Sequence, residues 1–242
     1  MKTFDELVDG IKELKERGFV KTHRSDDTGI GKTLEDLLGI KENNFAGPDG
    51  EDTELKAARK NSSSMLTLFT KAPSPRGTNS KLRKAYGYPD ENFAPKLCLH
   101  TTITSTKFNS QGFKIIGKKD KIEIASNKQQ SKIHDLAIPH WSKEILEKIY
   151  KDKYKDSLLY VKAEHRGSGK EEAFHYIEAY HLQGIDFEKF IANLQKGILK
   201  VDVRLGFYDS GKRYGKPHDH GTGFRINPAK LYLCFKKRER IV

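Results

Sequence analysis

Hydrophobic residues recur along this chain with two different periods, and segments of the two kinds alternate from one end to the other. A period near 3.6 is typical of amphipathic helices, whereas strict alternation is typical of half-buried strands. Helices are predicted from the capping box Thr3–Glu6 to Gly18 and over residues 31–38, 142–154 and 186–196. Strands are predicted over residues 53–58, 65–70, 112–116, 121–125, 157–163, 174–182, 199–207 and 224–226.

Two stretches show neither period. Residues 43–50 are rich in turn-forming residues, and residues 73–95 combine Gly, Asn and Ser with several prolines, so we expect a turn and a loop there. No segment repeats, and no long low-complexity linker divides the chain. Helices mixed with strands therefore predict one α/β domain, with an α+β mixed sheet, over residues 1–242.

The composition excludes several classes of protein. Hydrophobic residues make up 36% of the 242 residues, enough for a packed core, and no run approaches the 18 apolar residues of a membrane span. The acid-rich, amphipathic N-terminus is unlike a signal peptide, and Cys98 and Cys234 form neither a disulfide framework nor a zinc cluster. We expect a cytoplasmic protein with no membrane partner. Its net charge of +12 indicates a polyanionic partner, unless that charge only aids solubility.

The charge is unevenly distributed. Residues 1–56 hold 9 Lys and Arg against 14 Asp and Glu, residues 57–195 hold 24 against 15, and residues 196–242 hold 12 against 4. Carboxylates repel phosphate, so a protein that only coats DNA has no use for an acidic first quarter. An enzyme that sets a metal ion against phosphate needs carboxylates with basic residues around them. The distribution therefore favours a nuclease.

Two carboxylates and a lysine are closely spaced between residues 49 and 56. In the predicted strand, Glu54 and Lys56 share a face by the two-residue period, and Asp49 in the preceding turn can fold back towards Glu54. Oxygen ligands suit a hard divalent cation that offsets phosphate charge, and a neighbouring ammonium can orient the attacking water. Glu35, on the helix upstream, is a candidate third carboxylate. The alternative is an exposed, charged strand edge.

The basic C-terminal segment is the candidate for DNA recognition. Arg can bind guanine bidentately, Asp can accept a hydrogen bond from cytosine, and Lys can hold phosphates, so interleaved Arg and Asp suit a G·C-rich major groove. The candidate residues are Asp202, Arg204, Lys212, Arg213, Lys216, His218, Asp219, His220 and Arg225. A polar loop over residues 216–222 and a solvated basic tail are the alternatives.

Two other motifs lack residues that a nucleotide-binding loop or a zinc site would need. Gly31-Lys32-Thr33 lacks the preceding glycine of a phosphate-binding loop, because Asp26 stands at that position. His218 and His220 alone cannot complete a tetrahedral zinc site, because no further Cys or His cluster is present.

Several motifs occur together in one order. They are Thr28-Gly-Ile-Gly-Lys-Thr-Leu-Glu35, Pro48-Asp49 with Glu54-Leu-Lys56, Leu66-Thr-Leu-Phe-Thr-Lys71, Pro75-Arg-Gly77 and Lys216-Pro-His-Asp-His-Gly-Thr-Gly-Phe-Arg225. As a set, over about residues 5–230, they resemble the MutH-like type II restriction endonucleases of the MvaI/BcnI group. Residues 90–195 are similar to the group mainly in the order of their elements.

The resemblance implies a PD-(D/E)xK nuclease core whose catalytic lobe (about 1–110) and recognition lobe (about 111–242) flank a DNA cleft. Asp49, Glu54 and Lys56 would be catalytic, supported by Glu35, and Leu55 would join Asp49 and Glu54 at an Mg²⁺ ion that Mn²⁺ can replace. The residues implied to bind DNA are Lys71, Arg76, Asp202, Arg204, Lys212, Arg213, Lys216, His218, Asp219, His220 and Arg225.

The resemblance also implies partners and a substrate. The enzyme would act as a monomer on double-stranded DNA in the bacterial cytoplasm, with a cognate DNA methyltransferase as functional partner. Its site would be of the CC-N-GG type. CCWGG is favoured over CCSGG, because Lys71 stands where one branch has histidine and His-Asp-His-Gly-Thr is closer to the MvaI branch. A MutH-like strand-nicking repair endonuclease and a non-catalytic sequence-specific DNA-binding protein are the competing hypotheses.

Overall fold

The computed structural model describes residues 1–41, 47–128, 137–155 and 157–242. Within these residues the α-helices are α1 (Phe4–Arg17), α2 (Gly29–Leu37), α3 (Thr78–Tyr86), α4 (Lys143–Tyr154) and α5 (Phe187–Gln195). Short 3₁₀ helices cover Gly169–Glu171, Gly211–Arg213 and Pro228–Cys234. No helix in this part of the chain is both long and apolar enough to cross a membrane.

The strands alternate with these helices. They are β1 (Val20–Lys21), β2 (Glu54–Arg59), β3 (Leu66–Thr70), β4 (Tyr88–Pro89), β5 (Leu97–Ile103), β6 (Phe113–Gly117), β7 (Lys121–Ser126), β8 (His140–Ser142), β9 (Ser157–Arg166), β10 (Ala173–Ile185), β11 (Leu199–Phe207), β12 (Pro217–Ile226) and β13 (Phe235–Arg240). The predicted mixed α/β fold is confirmed. The turn predicted over residues 43–50 lies partly outside the described residues.

The chain divides into two compact units, each built from separate stretches. Unit 1 comprises Met1–Leu66, Lys148–Lys189 and Asn227–Val242, and unit 2 comprises Thr67–Glu147 and Phe190–Ile226. The units interleave along the sequence, whereas the two lobes expected over about 1–110 and 111–242 are each continuous. The assignment of functions to those lobes stays a prediction.

Unit 1 is built on a five-stranded sheet. Its strands follow the order β1-β10-β9-β2, and β13 pairs with the second half of β10. β2 runs parallel to β9, and the other pairs are antiparallel. α1 buries Leu7, Ile11 and Leu14 in a core shared with Leu34 of α2. The capping box predicted for α1 is present, and Gly18 ends the helix with a positive φ of 79°, as glycine readily does.

Unit 2 contains a five-stranded and a three-stranded sheet. The larger follows the order β3-β12-β11-β5-β4, and β6, β7 and β8 form the smaller. The rings of Phe69, Phe190 and Phe224 pack together in the interior of unit 2, with centroids 4.9–5.7 Å apart. The buried Trp141 donates its indole N–H to the Lys71 carbonyl at 2.9 Å, which satisfies the polar atom of that ring. In the larger sheet β11 lies between β12 and β5, so it is a central strand.

The loop predicted over residues 73–95 is wrong, because α3 and β4 lie within it. α3 has a weak apolar signal, since Leu82 is its one large buried aliphatic residue. It is held instead by polar contacts, for example from Asn79, whose amide donates to Asp219 Oδ2 at 2.9 Å and Thr222 Oγ1 at 3.1 Å. Such tertiary contacts override local propensity and leave no periodic pattern.

A buried ion pair of unit 1 gives a first prediction. Arg59 Nε and Nη2 each donate to one oxygen of Glu172 at 2.7 Å, and the Glu172 side chain is 8% exposed. The hydrogen bonds from Arg59 lower the pKa of the Glu172 carboxyl against the opposing effect of burial. A lowered folded-state pKa contributes stability that is present above the ordinary pKa of 4.5 and is lost as the pH falls through the folded value.

We expect Glu172→Gln to lower the free energy of unfolding by about 2–3 kcal/mol at neutral pH, because it leaves the Arg59 charge uncompensated. Urea unfolding at pH 7 measures this difference, which should shrink in acid as the wild-type carboxyl becomes protonated. Glu171→Gln is the matched control, because the Glu171 side chain is 78% exposed and should leave unfolding unchanged. Equal destabilisation by both variants would contradict the assignment.

Candidate functional site

A buried carboxylate begins the edge strand β2 of unit 1. The whole of Glu54 is inaccessible to solvent, and the Lys56 side chain on the same face is 19% exposed. Lys56 Nζ donates to Glu54 Oε1. Leu55 between them points into the hydrophobic core. The structure thus brings together the carboxylate and the ammonium that the two-residue period predicts on one face, and the pair is not an exposed strand edge.

Asp49 reaches this pair from the preceding turn. Its Oδ2 accepts a hydrogen bond from the Leu55 amide at 3.0 Å. The turn needs glycine at position 50, because a Cβ there would lie 2.9 Å from the Lys2 carbonyl and 3.1 Å from Leu7 Cδ1. Burial, and then the negative charge of Glu54, raise the pKa of the Asp49 carboxyl. When two carboxylates are placed close together to bind a cation, the charge of one raises the pKa of the other in this way.

A second lysine, absent from the sequence predictions, completes the surroundings of Glu54. Lys153 near the end of α4 places Nζ 2.9 Å from Glu54 Oε1, and its side chain is 22% exposed. Glu54 Oε1 therefore receives two ammonium groups. In the sequence Lys153 is one lysine of the basic last turn of a helix, so no spacing rule connects it to Glu54.

Glu35 lies on α2, which packs against β2. Burial alone would lower the pKa of the Lys56 ammonium, but the negative charges of Glu54, Asp49 and Glu35 outweigh it and raise that pKa. Lys56 is therefore a charged hydrogen-bond donor at neutral pH and not a free amine. The helix brings its carboxylate close enough to act electrostatically on the lysine.

The residues present fit a hard divalent cation. Glu54 Oε2 is buried and has no hydrogen-bond partner among the described residues, which is costly for a carboxylate oxygen unless a ligand takes it. Asp49 is the second carboxylate. No group of three His, Cys, Asp or Glu side chains in the described ranges forms a closed metal cage. Mg²⁺ is bound in this open way in many proteins, through one or two carboxylates with water and substrate phosphate as further ligands.

The polar candidates of unit 2 lie along β11 and β12. Residues 216–222, for which a loop was one interpretation, belong largely to β12, so that interpretation is wrong for His218, Asp219 and His220. Asp202 pairs opposite Gly223 and Val203 opposite Thr222, and a bulge follows before Leu205 pairs opposite Asp219. Because alternate residues share a face, Asp202 and Arg204 point away from the buried Val201, Val203 and Leu205.

Asp202 and Arg225 form a buried pair on this face. Arg225 Nη1 donates to Asp202 Oδ2 at 2.6 Å, and Thr102 of β5 donates its hydroxyl to Asp202 Oδ1 at 2.7 Å. The Asp202 side chain is 8% exposed and that of Arg225 is 23% exposed. Both carboxylate oxygens of Asp202 are thus engaged, and the carboxylate fixes the Arg225 guanidinium.

Aromatic and imidazole rings form a row beside this pair. Tyr208 stacks on His218 with centroids 3.9 Å apart, His218 lies 3.7 Å from His220, and His220 meets His100 of β5 edge-on at 6.4 Å. Burial, and then the positive charge of His218, lower the pKa of the His220 imidazole, which favours its neutral form. Arg204 Nε is buried without a hydrogen-bond partner among the described residues. This face therefore presents several unsatisfied or exposed donors.

The remaining predicted DNA-binding residues divide into two groups. The first group, Lys71 and Arg76, lines a cavity of about 510 Å³. His218 and Asp219 of β12 line the same cavity, together with Asn79 and Arg83. Lys212, Arg213 and Lys216 are exposed on the connection between β11 and β12. Arg213 Nη1 donates to the Tyr208 hydroxyl at 3.1 Å.

Sequence reasoning missed His100, Thr102 and Asn79 of unit 2. The first two had no clear periodic signal, because Leu97–Ile103 reads as three apolar residues followed by three polar ones and does not alternate. Asn79 had none either, because it lies in the stretch that looked like a loop.

The chain matches the MvaI/BcnI restriction endonuclease family over residues 8–235. It is 34% identical to restriction endonuclease MvaI over the whole of both chains. The TM-score is 0.88 against the structure of that enzyme in complex with cognate DNA substrate and 0.56 against its structure in the absence of DNA. No curated protein matches the chain. A family match over nearly the whole length, with two carboxylates and a lysine converging on β2, makes this chain a member of the MvaI/BcnI restriction endonuclease family and a type II site-specific deoxyribonuclease.

Proposed function

We propose that this enzyme hydrolyses phosphodiester bonds in double-stranded DNA with Mg²⁺, at a short site of the CC-N-GG type in which CCWGG is favoured. The observation that carries the catalytic part is the environment of Glu54. Its Oε1 is held by Lys56 and Lys153, whereas its buried Oε2 has no partner among the described residues. A carboxylate held in this way presents one oxygen to a cation.

Asp49 and Glu54 would hold the ion with the main-chain carbonyl of Leu55, and Glu35 supports the site through its charge. When bound, Mg²⁺ offsets phosphate charge and polarises the scissile group, and Mn²⁺ can substitute for it. The Leu55 amide keeps the Asp49 carboxylate oriented through its 3.0 Å hydrogen bond. The negative charges of Glu54, Asp49 and Glu35 raise the pKa of the Lys56 ammonium against the opposing effect of burial.

Lys56 Nζ donates to Oε1 of Glu54, one of the two carboxylates that would hold the ion. The role of Lys56 is therefore to orient the attacking water and to stabilise the negative charge that develops on the phosphate. Lys153 acts instead by fixing the Glu54 carboxylate. Both lysines thus contact Glu54 Oε1, but Lys56 acts on the water and the phosphate, whereas Lys153 fixes the carboxylate.

Sequence choice is assigned to the polar face of β11 and β12. Arg204, His218, His220 and Arg225 present donors suited to the guanine acceptors of the major groove. Asp202 positions Arg225 through the 2.6 Å ion pair, and Asp219 is held by Asn79 and by the Gly221 amide. The phosphate contacts are assigned to Lys71, Arg76, Lys212, Arg213 and Lys216, whose flexible charges fix position but not sequence.

The solved complex of restriction endonuclease MvaI with its cognate DNA supports duplex DNA as the substrate. The preference for CCWGG, action as a monomer, a cognate DNA methyltransferase as functional partner and location in the bacterial cytoplasm follow from family resemblance and are part of the same proposal.

The test is cleavage of plasmid by the purified enzyme with Mg²⁺, followed by sequencing of the ends. We expect discrete fragments whose ends share one CC-N-GG sequence, and no cutting in EDTA. Smears would contradict site-specific cleavage. Accumulation of nicked circles without linear product would favour the MutH-like strand-nicking hypothesis, and ends with an unrelated common sequence would overturn the assigned site.

A further inference from the structure

We propose that His100 is a specificity-determining residue that contacts a base, so that the DNA-reading face extends from β11 and β12 onto β5. This inference rests on the proposed function, since it names a further contact made by the same face. Neither the sequence motifs nor the family match points to His100. The support comes from strand register, exposure and the surroundings of the ring.

Strand register places His100 on the reading face. β5 pairs antiparallel with β11, and His100 lies directly opposite Arg204, just as Thr102 lies opposite Asp202. Residues directly opposite in an antiparallel pair project to the same face of the sheet. Thr102 confirms the rule here, because its hydroxyl reaches the Asp202 carboxylate. His100 therefore projects beside Arg204 and not into the core with Leu99.

The ring is exposed but held. His100 is exposed, whereas its neighbour Leu99 is 0% exposed. On one side the ring lies edge-on to His220. On the other it occupies the space that Gly206 leaves, since a Cβ at Gly206 would lie 3.0 Å from His100 Nε2. A ring fixed on a strand loses little rotamer freedom on binding, which favours a contact made there.

The polar atoms of this ring are available. Within the described ranges, neither ring nitrogen of His100 hydrogen-bonds to another residue. The Tyr88 hydroxyl donates to the main-chain carbonyl of His100, at 3.5 Å, and not to its ring. His140 and His175, in contrast, each engage a main-chain carbonyl through a ring nitrogen. A neutral imidazole offers one N–H donor and one acceptor, which matches the acceptor N7 and the neighbouring groups of a purine in the major groove.

The experiment measures equilibrium binding with Ca²⁺ in place of Mg²⁺, on a fragment carrying the site found by end sequencing and on a non-cognate fragment of equal length. We expect His100→Ala to weaken cognate binding about tenfold and to leave non-cognate binding unchanged within about twofold. His175→Ala, in unit 1, is the matched control and should change neither. Equal loss on both fragments, or no loss on either, would overturn the proposal.

Two further measurements separate a base contact from ring packing. His100→Phe keeps a ring beside His220 but lacks the nitrogens, so it should bind as weakly as His100→Ala, and recovery of wild-type binding would overturn the proposal. Replacing one purine of the site by its 7-deaza analogue removes an N7 acceptor. At one position this change should weaken DNA binding by the wild type but not by His100→Ala. Losses of binding free energy that are additive at every purine would also overturn the proposal.

Failure of this inference is distinguishable from failure of the proposed function. If the wild-type enzyme binds both fragments equally, sequence-specific recognition itself is absent. If the wild type discriminates and His100→Ala discriminates equally well, recognition stands and only the contact from β5 is refuted. Thermal melting of each variant verifies that the compared proteins are folded.

Discussion

Glu54→Gln should lower the rate of DNA cleavage by about 10³-fold or more while DNA binding survives. The substitution keeps the shape of the side chain but removes the negative charge that Lys56 and Lys153 contact and that the buried Oε2 offers to a cation. A factor of 10³ corresponds to about 4 kcal/mol in the activation free energy, which is within the range for loss of a group that organises charge in an active site. Single-turnover cleavage with saturating enzyme measures it.

Binding of the same DNA fragment, measured without Mg²⁺, separates catalysis from recognition. Glu51→Gln is the matched control, because Glu51 is exposed, lies three residues before Glu54 and should cleave at the wild-type rate. Since Glu54→Gln leaves two lysines near one buried amide, thermal melting must accompany the assay. Lys56→Met offers a second variant with the same expected loss. Cleavage by Glu54→Gln within tenfold of the wild type would refute its assignment as a catalytic residue.

The grouping of Asp49 with Glu54 and Lys56 could be predicted because these residues are close together in the sequence. Glu54 and Lys56 stand two positions apart on one strand, so the pleat alone sets them on one face, and a turn at Gly50 brings Asp49 back. Lys153 could not be predicted in this way, because its position beside Glu54 depends on how α4 packs in the folded chain, which no period in the sequence encodes. Glu35 was a candidate from its place on the helix upstream, but its electrostatic effect on Lys56 depends on the packing of α2.

The polar face of β11 and β12 shows a different limit. β11 was predicted with its observed bounds, because the apolar Leu199, Val201, Val203 and Leu205 alternate along it. β12 was predicted only at its apolar end, since its first half, Pro217–Gly221, holds no large apolar residue and its strand character comes from pairing with β11. Once that pairing is known, Asp202, Arg204 and His100 fall on one face together with His218 and Arg225, whereas Asp219, opposite Leu205, falls on the other. Register is a tertiary property, and it determined which candidate residues lie together.

Burial also changes what a charged residue does. The sequence made Asp202 a base-reading candidate equal to Arg225, but the structure gives both Asp202 oxygens protein partners. A buried carboxylate whose oxygens are both engaged is better placed to orient its partners than to accept from a cytosine amino group. The proposed division of roles, in which Asp202 positions and Arg225 reads, follows from that pair.

Arg225→Ala should therefore relax sequence choice more than any other change on this face. It removes a proposed guanine contact and leaves Asp202 Oδ2 buried without its cation. A bidentate guanine contact is worth up to about 3 kcal/mol, so cognate binding should weaken up to about a hundredfold, whereas non-cognate binding should fall less than about threefold. Binding to cognate and single-substituted fragments at several salt concentrations measures both quantities.

Lys212→Ala is the matched control for Arg225→Ala, because it removes one positive charge from the exposed connection beside the same strands. If Lys212 binds a phosphate, its removal should reduce the slope of log K against log salt by about one and leave discrimination between sequences intact. Arg225→Ala should show the opposite combination, in which discrimination falls while the slope stays nearly unchanged. If instead Lys212→Ala relaxes sequence choice and Arg225→Ala only flattens the salt dependence, then the exposed connection reads the bases, and the Asp202–Arg225 pair serves only to hold the DNA backbone.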